Sequence, residues 1–240
     1  MSDAGKYAGW YGTPRGRWIG ETEGSLMERL VGLRPEDSLL DVGCGTGYFT
    51  GFFAQHTGGT VIGLDPNTEW LRYGANEGAA DIAWVAARAE ALPFADRTFD
   101  VVTSVTALCF IADQAEAVRE MLRVCRRRIV LGLLNRHSLL WFSKGRHGGT
   151  GSYQGAYWHT IDEARTLLQQ LGCSRIETRT AVFFPDGGPA ARWLEAHLPN
   201  RLLWGAFLAV VADVDQTRAR DPQFAAARTE PVDAVLTDGL

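Results

Sequence analysis

The chain reads as an α/β protein built around a mostly parallel sheet. Three observations predict this. Short apolar strands alternate with helical stretches from Ser38 to Leu134, those strands are continuously apolar, and spaced glycines join the first strand to its helix. Such alternation makes βαβ units with right-handed crossovers. Continuously apolar strands fit a sheet covered by helices on both faces.

Taken in order, residues 1–23 are rich in glycine, aromatics and arginine (Tyr7, Trp10, Tyr11, Arg15, Arg17, Trp18) and show no clean period. A short helix is expected over Glu21–Leu33, closed near Gly32. Strands follow at Ser38–Val42, Thr60–Leu64, Ile82–Val85, Phe99–Ser104 and Arg128–Leu134, with helices at Tyr48–His56, Asn67–Asn76 and Asp113–Val124. The pattern changes after Asn135. Arg136–Trp158 scatters glycines among His, Trp and Tyr and reads as a long loop or lid. A helix over Thr160–Leu171 has a capping box (Thr160, Glu163) and a stop at Gly172. Ser174–Phe184 and Leu202–Asp213 are two further strands around a helix near Pro189–Leu198, which brings the sheet to seven. From about Thr217 the chain turns Ala/Arg/Asp-rich, and a loosely held tail is expected over 216–240.

With 240 residues, the length allows one large domain or two small ones. At 46% hydrophobic and 22% charged, wholesale disorder is excluded. A net charge of −4 carries no basic footprint for long nucleic acid. All basic residues but Lys6 and Lys144 are arginines, which we read first as genome composition. Cys44, Cys109, Cys125 and Cys173 form no C-x-x-C pair, so buried free thiols are expected rather than disulfides or a metal site. The first dozen residues lack a signal-peptide core, and the longest apolar stretch, Leu202–Ala212, is too short to span a bilayer. A cytoplasmic protein is the expectation.

The most informative segment is Leu39–Thr50, LLDVGCGTGYFT: a strand ending in Asp41, glycines at 43, 45 and 47, then a helix. Glycines there let the backbone approach a ligand, and amides at the helix start can face an anionic group. A Gly-rich turn without ligand is the bland alternative. The dinucleotide fingerprint fails, because its third glycine would be Tyr48 or Thr50, and no Walker lysine is present.

Instead, D-x-G-x-G-x-G resembles the S-adenosylmethionine loop of class I methyltransferases. The resemblance continues through Gly63-Leu64-Asp65-Pro66-Asn67, Ala89-Glu90-Ala91-Leu92-Pro93-Phe94 and Phe99-Asp100-Val101-Val102, and covers about residues 10–215. It implies a Rossmann-like fold with an antiparallel last strand, S-adenosyl-L-methionine as cofactor and a small-molecule acceptor. It also implies a single methyltransferase domain over 24–215, with 1–23 as an aromatic lid segment and 136–158 as a lid loop.

The same resemblance assigns cofactor residues. Asp65 would accept hydrogen bonds from both ribose hydroxyls; the alternative is a helix N-cap ahead of Pro66. Asp41 with Gly43, Cys44, Gly45 and Gly47 would face the methionine end, Ala89 and Glu90 the adenine, and Pro66 and Ser104 would line the site. Two departures stand out. Arg88 replaces an acidic residue common in relatives, and Arg123-Val124-Cys125-Arg126-Arg127-Arg128 replaces a glycine-containing loop, where a tight, solvated basic turn is expected.

Methyl transfer from a sulfonium needs alignment more than acid–base help, so the catalytic residues are not announced. His137, just beyond the fifth strand, is the candidate base, with an ordinary surface histidine as the alternative; Tyr11 is the second candidate. The N-terminal aromatics either cover the cofactor by cation–π contact or merely pack on the sheet. His56, His159 and His197 carry little signal. Two rival readings remain. An NAD-linked oxidoreductase would bind NAD and not S-adenosylhomocysteine. A non-catalytic cofactor-binding module would have the acceptor space plugged by Trp141 or Trp158.

Overall fold

Two helices precede the sheet, where the sequence shows no period. The computed structural model describes residues 3–77, 81–199 and 202–214, so the expected tail lies outside the described residues. Helix α1 spans Asp3–Gly12 and α2 spans Pro14–Val31. Thr13 starts α2: it is extended, its hydroxyl accepts the Gly16 N–H at 3.0 Å, and Pro14 occupies the first turn. Gly32 ends the helix in the left-handed conformation. The expected short helix from Glu21 is therefore only the second half of α2. Its first half was hidden because the packing face carries Gly16, Gly20 and Gly24, where a Cβ would meet the Trp10 carbonyl, Tyr48 and Phe52.

The sheet contains β1 Leu39–Val42, β2 Val61–Asp65, β3 Ile82–Ala86, β4 Phe99–Val105, β5 Cys125–Leu134, β6 Ser174–Ala181 and β7 Phe207–Asp213. Their order is β3-β2-β1-β4-β5-β7-β6. Strands β1 to β5 pair in parallel, and β7 runs antiparallel between β5 and β6. The strand order reverses between β1 and β4, which is where open α/β sheets bind ligands, at the carboxyl ends of the strands. Helices α3 Tyr48–Ala54, α4 Thr68–Glu77, α5 Gln114–Val124, α6 Ile161–Gln170 and α7 Pro189–His197 complete the chain. The core lies on the middle strands, with Leu39, Leu40, Val101, Val102, Ile129 and Val130 fully buried. No described helix is long and apolar enough to cross a membrane.

Three expectations need correction. The last strand starts at Phe207 rather than Leu202, and β6 stops at Ala181. No basic turn separates α5 from β5: the helix passes from Val124 straight into Cys125, and Arg126, Arg127 and Arg128 belong to the strand. Nor is this run a solvated face. Arg126 pairs with Asp100, Arg127 with Asp37 and Arg128 with Asp213, stapling the amino-terminal edge of the sheet. Segment 136–158 contains short helical turns, and its Gly145 is wedged between Trp141 and Trp158.

Candidate active site

The glycine loop between β1 and α3 is strapped onto the end of β2. Gly43, Gly45 and Gly47 all have positive φ (+74°, +59° and +83°). The N–H groups of Gly43 and Cys44 both donate to the Leu64 carbonyl, at 2.7 and 3.0 Å. The Gly45 N–H donates to Asp65 Oδ2 at 2.9 Å. These three amides thus hold the loop's shape. At Gly47 only glycine fits: φ is left-handed, and a Cβ would collide with the Trp84 ring.

Asp65 is not a helix cap. Its Oδ1 accepts the Asn67 N–H at 2.8 Å, while Asn67 Oδ1 takes the N–H groups of Glu69 and Trp70 at the start of α4. Capping therefore falls to Asn67, and Asp65 is held between two amides. Each carboxylate oxygen offers about two lone-pair sites, so one on each remains open. Burial raises its pKa, against the opposing pull of the Asn67 and Gly45 amides.

Asp41 lies beneath the loop, 1% exposed. Thr50 donates to Oδ2 at 2.7 Å and Thr103 to Oδ1 at 3.0 Å. Burial pushes its pKa to about 6, because two hydroxyls offset only part of the lost hydration. Cys44 Sγ sits 3.8 Å from the Gly45 carbonyl, its thiol pushed well up by burial. Ala89 is buried, and Glu90 is ion-paired at 2.7 Å with Arg88, the residue that departs from the family pattern. Pro66 is exposed just past Asp65. Ser104 Oγ is buried without a hydrogen-bond partner among the described residues, an orphaned polar group at the carboxyl end of β4.

Aromatic side chains cover this loop. A Cβ on Gly45 would lie 3.2 Å from Trp70 and 3.9 Å from Tyr7. Tyr7 stacks on Trp70 with ring centroids 4.8 Å apart, and its hydroxyl lies 3.3 Å from that of Tyr11. Tyr11 in turn stacks on Tyr48 at 3.8 Å. The side chains nearest the loop glycines are Ala107, Trp70, Tyr7 and Trp84. Trp141 and Trp158 pack on Gly145.

His137 is exposed in the turn after β5, and no side-chain hydrogen bond fixes its ring among the described residues. Tyr11 has its phenol pushed well above 10, first by burial and then by Tyr7 and Glu23, which keeps it protonated near neutral pH. The structure adds groups that local sequence did not single out. His159 is buried, with Nε2 2.9 Å from Gln114 Oε1 and Nδ1 3.9 Å from Cys109 Sγ, and burial lowers its pKa to about 4. Glu23 and Glu195 are the others. For Glu23 a signal existed: it interrupts the buried row Ile19, Met27, Val31 at steps of four.

A profile described as "Methyltransferase domain" matches residues 40–131, spanning the glycine loop through β5. An uncharacterized protein of Mycobacterium tuberculosis is 30% identical over 226 residues, covering 92% of this chain and 74% of that protein. The chain belongs to the class I S-adenosylmethionine-dependent methyltransferase family.

Other relatives agree. The ubiquinone/menaquinone biosynthesis C-methyltransferase UbiE of Hahella chejuensis is 41% identical over 102 residues, which cover 40% of this chain and 41% of that enzyme. A solved structure from Thermotoga maritima, titled a SAM-dependent methyltransferase and possible histamine N-methyltransferase, shares the fold. Its TM-score is 0.70 at 21% identity, covering 89% of this chain and 96% of that one. The cofactor of the family is S-adenosyl-L-methionine. For a class I methyltransferase the residues present fit that group. The glycine loop permits close approach, Asp65 keeps open acceptor sites, and Ser104 Oγ is without a partner among the described residues.

Proposed function

We propose that this methyltransferase moves a methyl group to a small-molecule acceptor by in-line displacement, acting mainly through orientation and exclusion of water. The single observation that carries the reading is Asp65, fixed by the amides of Gly45 and Asn67 with acceptor capacity left over. In this reading Asp65 binds the ribose hydroxyls, and Ala89 and Glu90 border the adenine. Asp41 with Gly43, Cys44, Gly45 and Gly47 supports the methionine end, and Pro66 and Ser104 line the site. When bound, the cofactor supplies a methyl group already activated on a positively charged sulfur. The chain's task is then alignment, which contributes roughly 7–11 kcal/mol in favourable cases.

The aromatic residues of 1–23 act as a lid: Tyr7 stacks on Trp70 beside Gly45 and Tyr11 stacks on Tyr48, which puts an aromatic cluster next to the glycine loop. Segment 136–158 closes the other side. A net charge of −4 favours a small acceptor over nucleic acid. The four cysteines stand as free thiols, which supports a reducing, cytoplasmic setting.

Calorimetry with S-adenosylhomocysteine and with NAD tests the reading. Binding of the first and not the second is expected, and Asp65→Ala should weaken it by about 1–3 kcal/mol, the cost of a lost charge-assisted hydrogen bond. An unchanged dissociation constant would remove Asp65 from the ribose. Binding without methyl transfer to any member of a metabolite panel would favour a cofactor-binding module.

A further inference from the structure

The first turns of α2 border a cleft of about 270 Å³, lined by Gly12, Pro14, Arg17, Trp18, Glu21 and, from α7, Arg192. Pro14, Arg17, Trp18 and Glu21 stand at steps of three and four, so they share one face of α2. At Gly12 a Cβ would meet nothing within 4 Å, which leaves that side of the cleft roomy. A cavity of ~150 Å³ takes a benzene ring. This one has space for a ring carrying a short polar arm.

The charges lining it are unmatched. Arg17 and Glu21 are exposed, and neither side chain makes a hydrogen bond or ion pair among the described residues. They stand one helical turn apart, but an arginine four residues before a glutamate is the weaker order for such a pair. Arg17 also lies in the opening turn of α2, which holds no acid, and there the helix dipole disfavours a cation. Arg192 is held in place by neutral groups. Its Nε donates to the Gly187 carbonyl and its Nη2 to the Pro14 carbonyl, both at 2.9 Å. Its guanidinium carbon lies 5.7 Å from the centre of the Trp18 ring. A guanidinium has five N–H groups, so three are left over, two of them on Nη1.

We propose that this cleft binds a free amino acid with an aromatic side chain. The carboxylate meets Arg17 and Nη1 of Arg192, the ammonium meets Glu21, and the ring takes the apolar wall of Pro14 and Trp18. A zwitterion answers both signs of charge in the lining. A simple anion would leave Glu21 opposed, and a simple amine would leave two arginines opposed. None of these residues belongs to the glycine-loop site, so the inference does not rest on the methyl-donor reading.

The test is a ligand-detected NMR titration of the full chain with L-phenylalanine and its two halves. These are 3-phenylpropionate, which lacks the ammonium, and phenethylamine, which lacks the carboxylate. With charges this exposed, phenylalanine should bind with a dissociation constant on the order of 1 mM. Each half should bind about fivefold more weakly, the scale of one exposed ion pair. The variants should then divide the probes crosswise. Arg17→Gln should weaken phenylalanine and 3-phenylpropionate and spare phenethylamine. Glu21→Gln should weaken phenylalanine and phenethylamine and spare 3-phenylpropionate. Both side chains are exposed and unpaired, so both variants should keep the wild-type melting temperature.

No binding of phenylalanine at about 10 mM overturns the proposal, as does binding that both variants leave unchanged. Equal affinity for phenylalanine and 3-phenylpropionate also overturns it, because Glu21 would then hold nothing. The titration is repeated with S-adenosylhomocysteine present. Competition would place phenylalanine at the donor's own amino-acid end and overturn the cleft; unchanged binding supports it. A chain that binds phenylalanine in this crosswise pattern but not S-adenosylhomocysteine keeps the cleft and loses the donor reading.

Discussion

The two edges of the sheet use the same acidic residue types in opposite ways. At the amino-terminal edge every arginine of the 126–128 run meets an aspartate, and Arg123 holds Glu120 and Asp96. At the carboxyl-terminal edge Asp41, Asp65, Glu23 and Glu195 have hydroxyls, amides or nothing as partners, and no ion pair among the described residues. Their pKa values separate accordingly. Burial works against Asp100, but the Ser38 N–H and hydroxyl and Arg126 hold it below the usual range. Burial wins at Asp41 and Glu23, at about 6 and about 8. Neutral donors offset desolvation less than a cation does. The carboxylates of one edge are therefore matched by arginines, while these four carboxyl groups of the other have no cation beside them, and a family whose cofactor carries a sulfonium brings positive charge to that edge.

The largest effect should come from breaking the complete edge. Asp37 is 4% exposed and accepts from Arg127 and from the Arg34 N–H. Arg127→Ala strands that charge, and urea unfolding should show a loss of about 3–5 kcal/mol with unchanged affinity for S-adenosylhomocysteine. A changed affinity would mean the edges are coupled, and the contrast would fail. Next comes Gly47→Ala at the other edge. Left-handed strain and collision with Trp84 should cost about 2–3 kcal/mol. Here cofactor affinity should fall as well. Trp84→Phe in the same chain should recover the collision part and leave the strain.

The carboxyl-terminal edge was legible where its signals are local. A strand, an acid, three spaced glycines and a helix fall within Leu39–Thr50, and Asp65 closes the next strand. Backbone punctuation of this kind is written residue by residue. Asn67 as cap was equally readable, since it stands three residues before Trp70 at a helix start. What stayed hidden depends on distant partners. Gly16, Gly20 and Gly24 erase the period of α2 because rings from Tyr48 and Phe52 supply the missing bulk. Arg126–Arg128 resembles a solvated run until Asp37, Asp100 and Asp213 arrive from three other segments. His159 gains its meaning only from Gln114 and Cys109, about 50 residues earlier.

Smaller effects sharpen the contrast by their sign with pH. Glu23 has a folded pKa raised from 4.5 to about 8, so its favourable contribution is present below about pH 4.5 and is lost as pH rises towards 8. Glu23→Gln should match the wild type at pH 5 and be more stable at pH 8.5, by about 1–2 kcal/mol after solvent screening. For a chain of this length that is a melting-temperature rise of about 2–6 °C. Asp100 behaves oppositely: its contribution is present above the usual carboxylate pKa and is lost as pH falls.

Arg126→Ala should show the smallest loss, about 0.2–1 kcal/mol near neutrality, because Arg126 is 47% exposed and Ser38 still holds Asp100. Raising salt to about 0.5 M should erase that loss and spare most of the one at Arg127, since exposed pairs are screened first. A loss well above 1 kcal/mol would mean the arginines act as one network rather than as separate pairs.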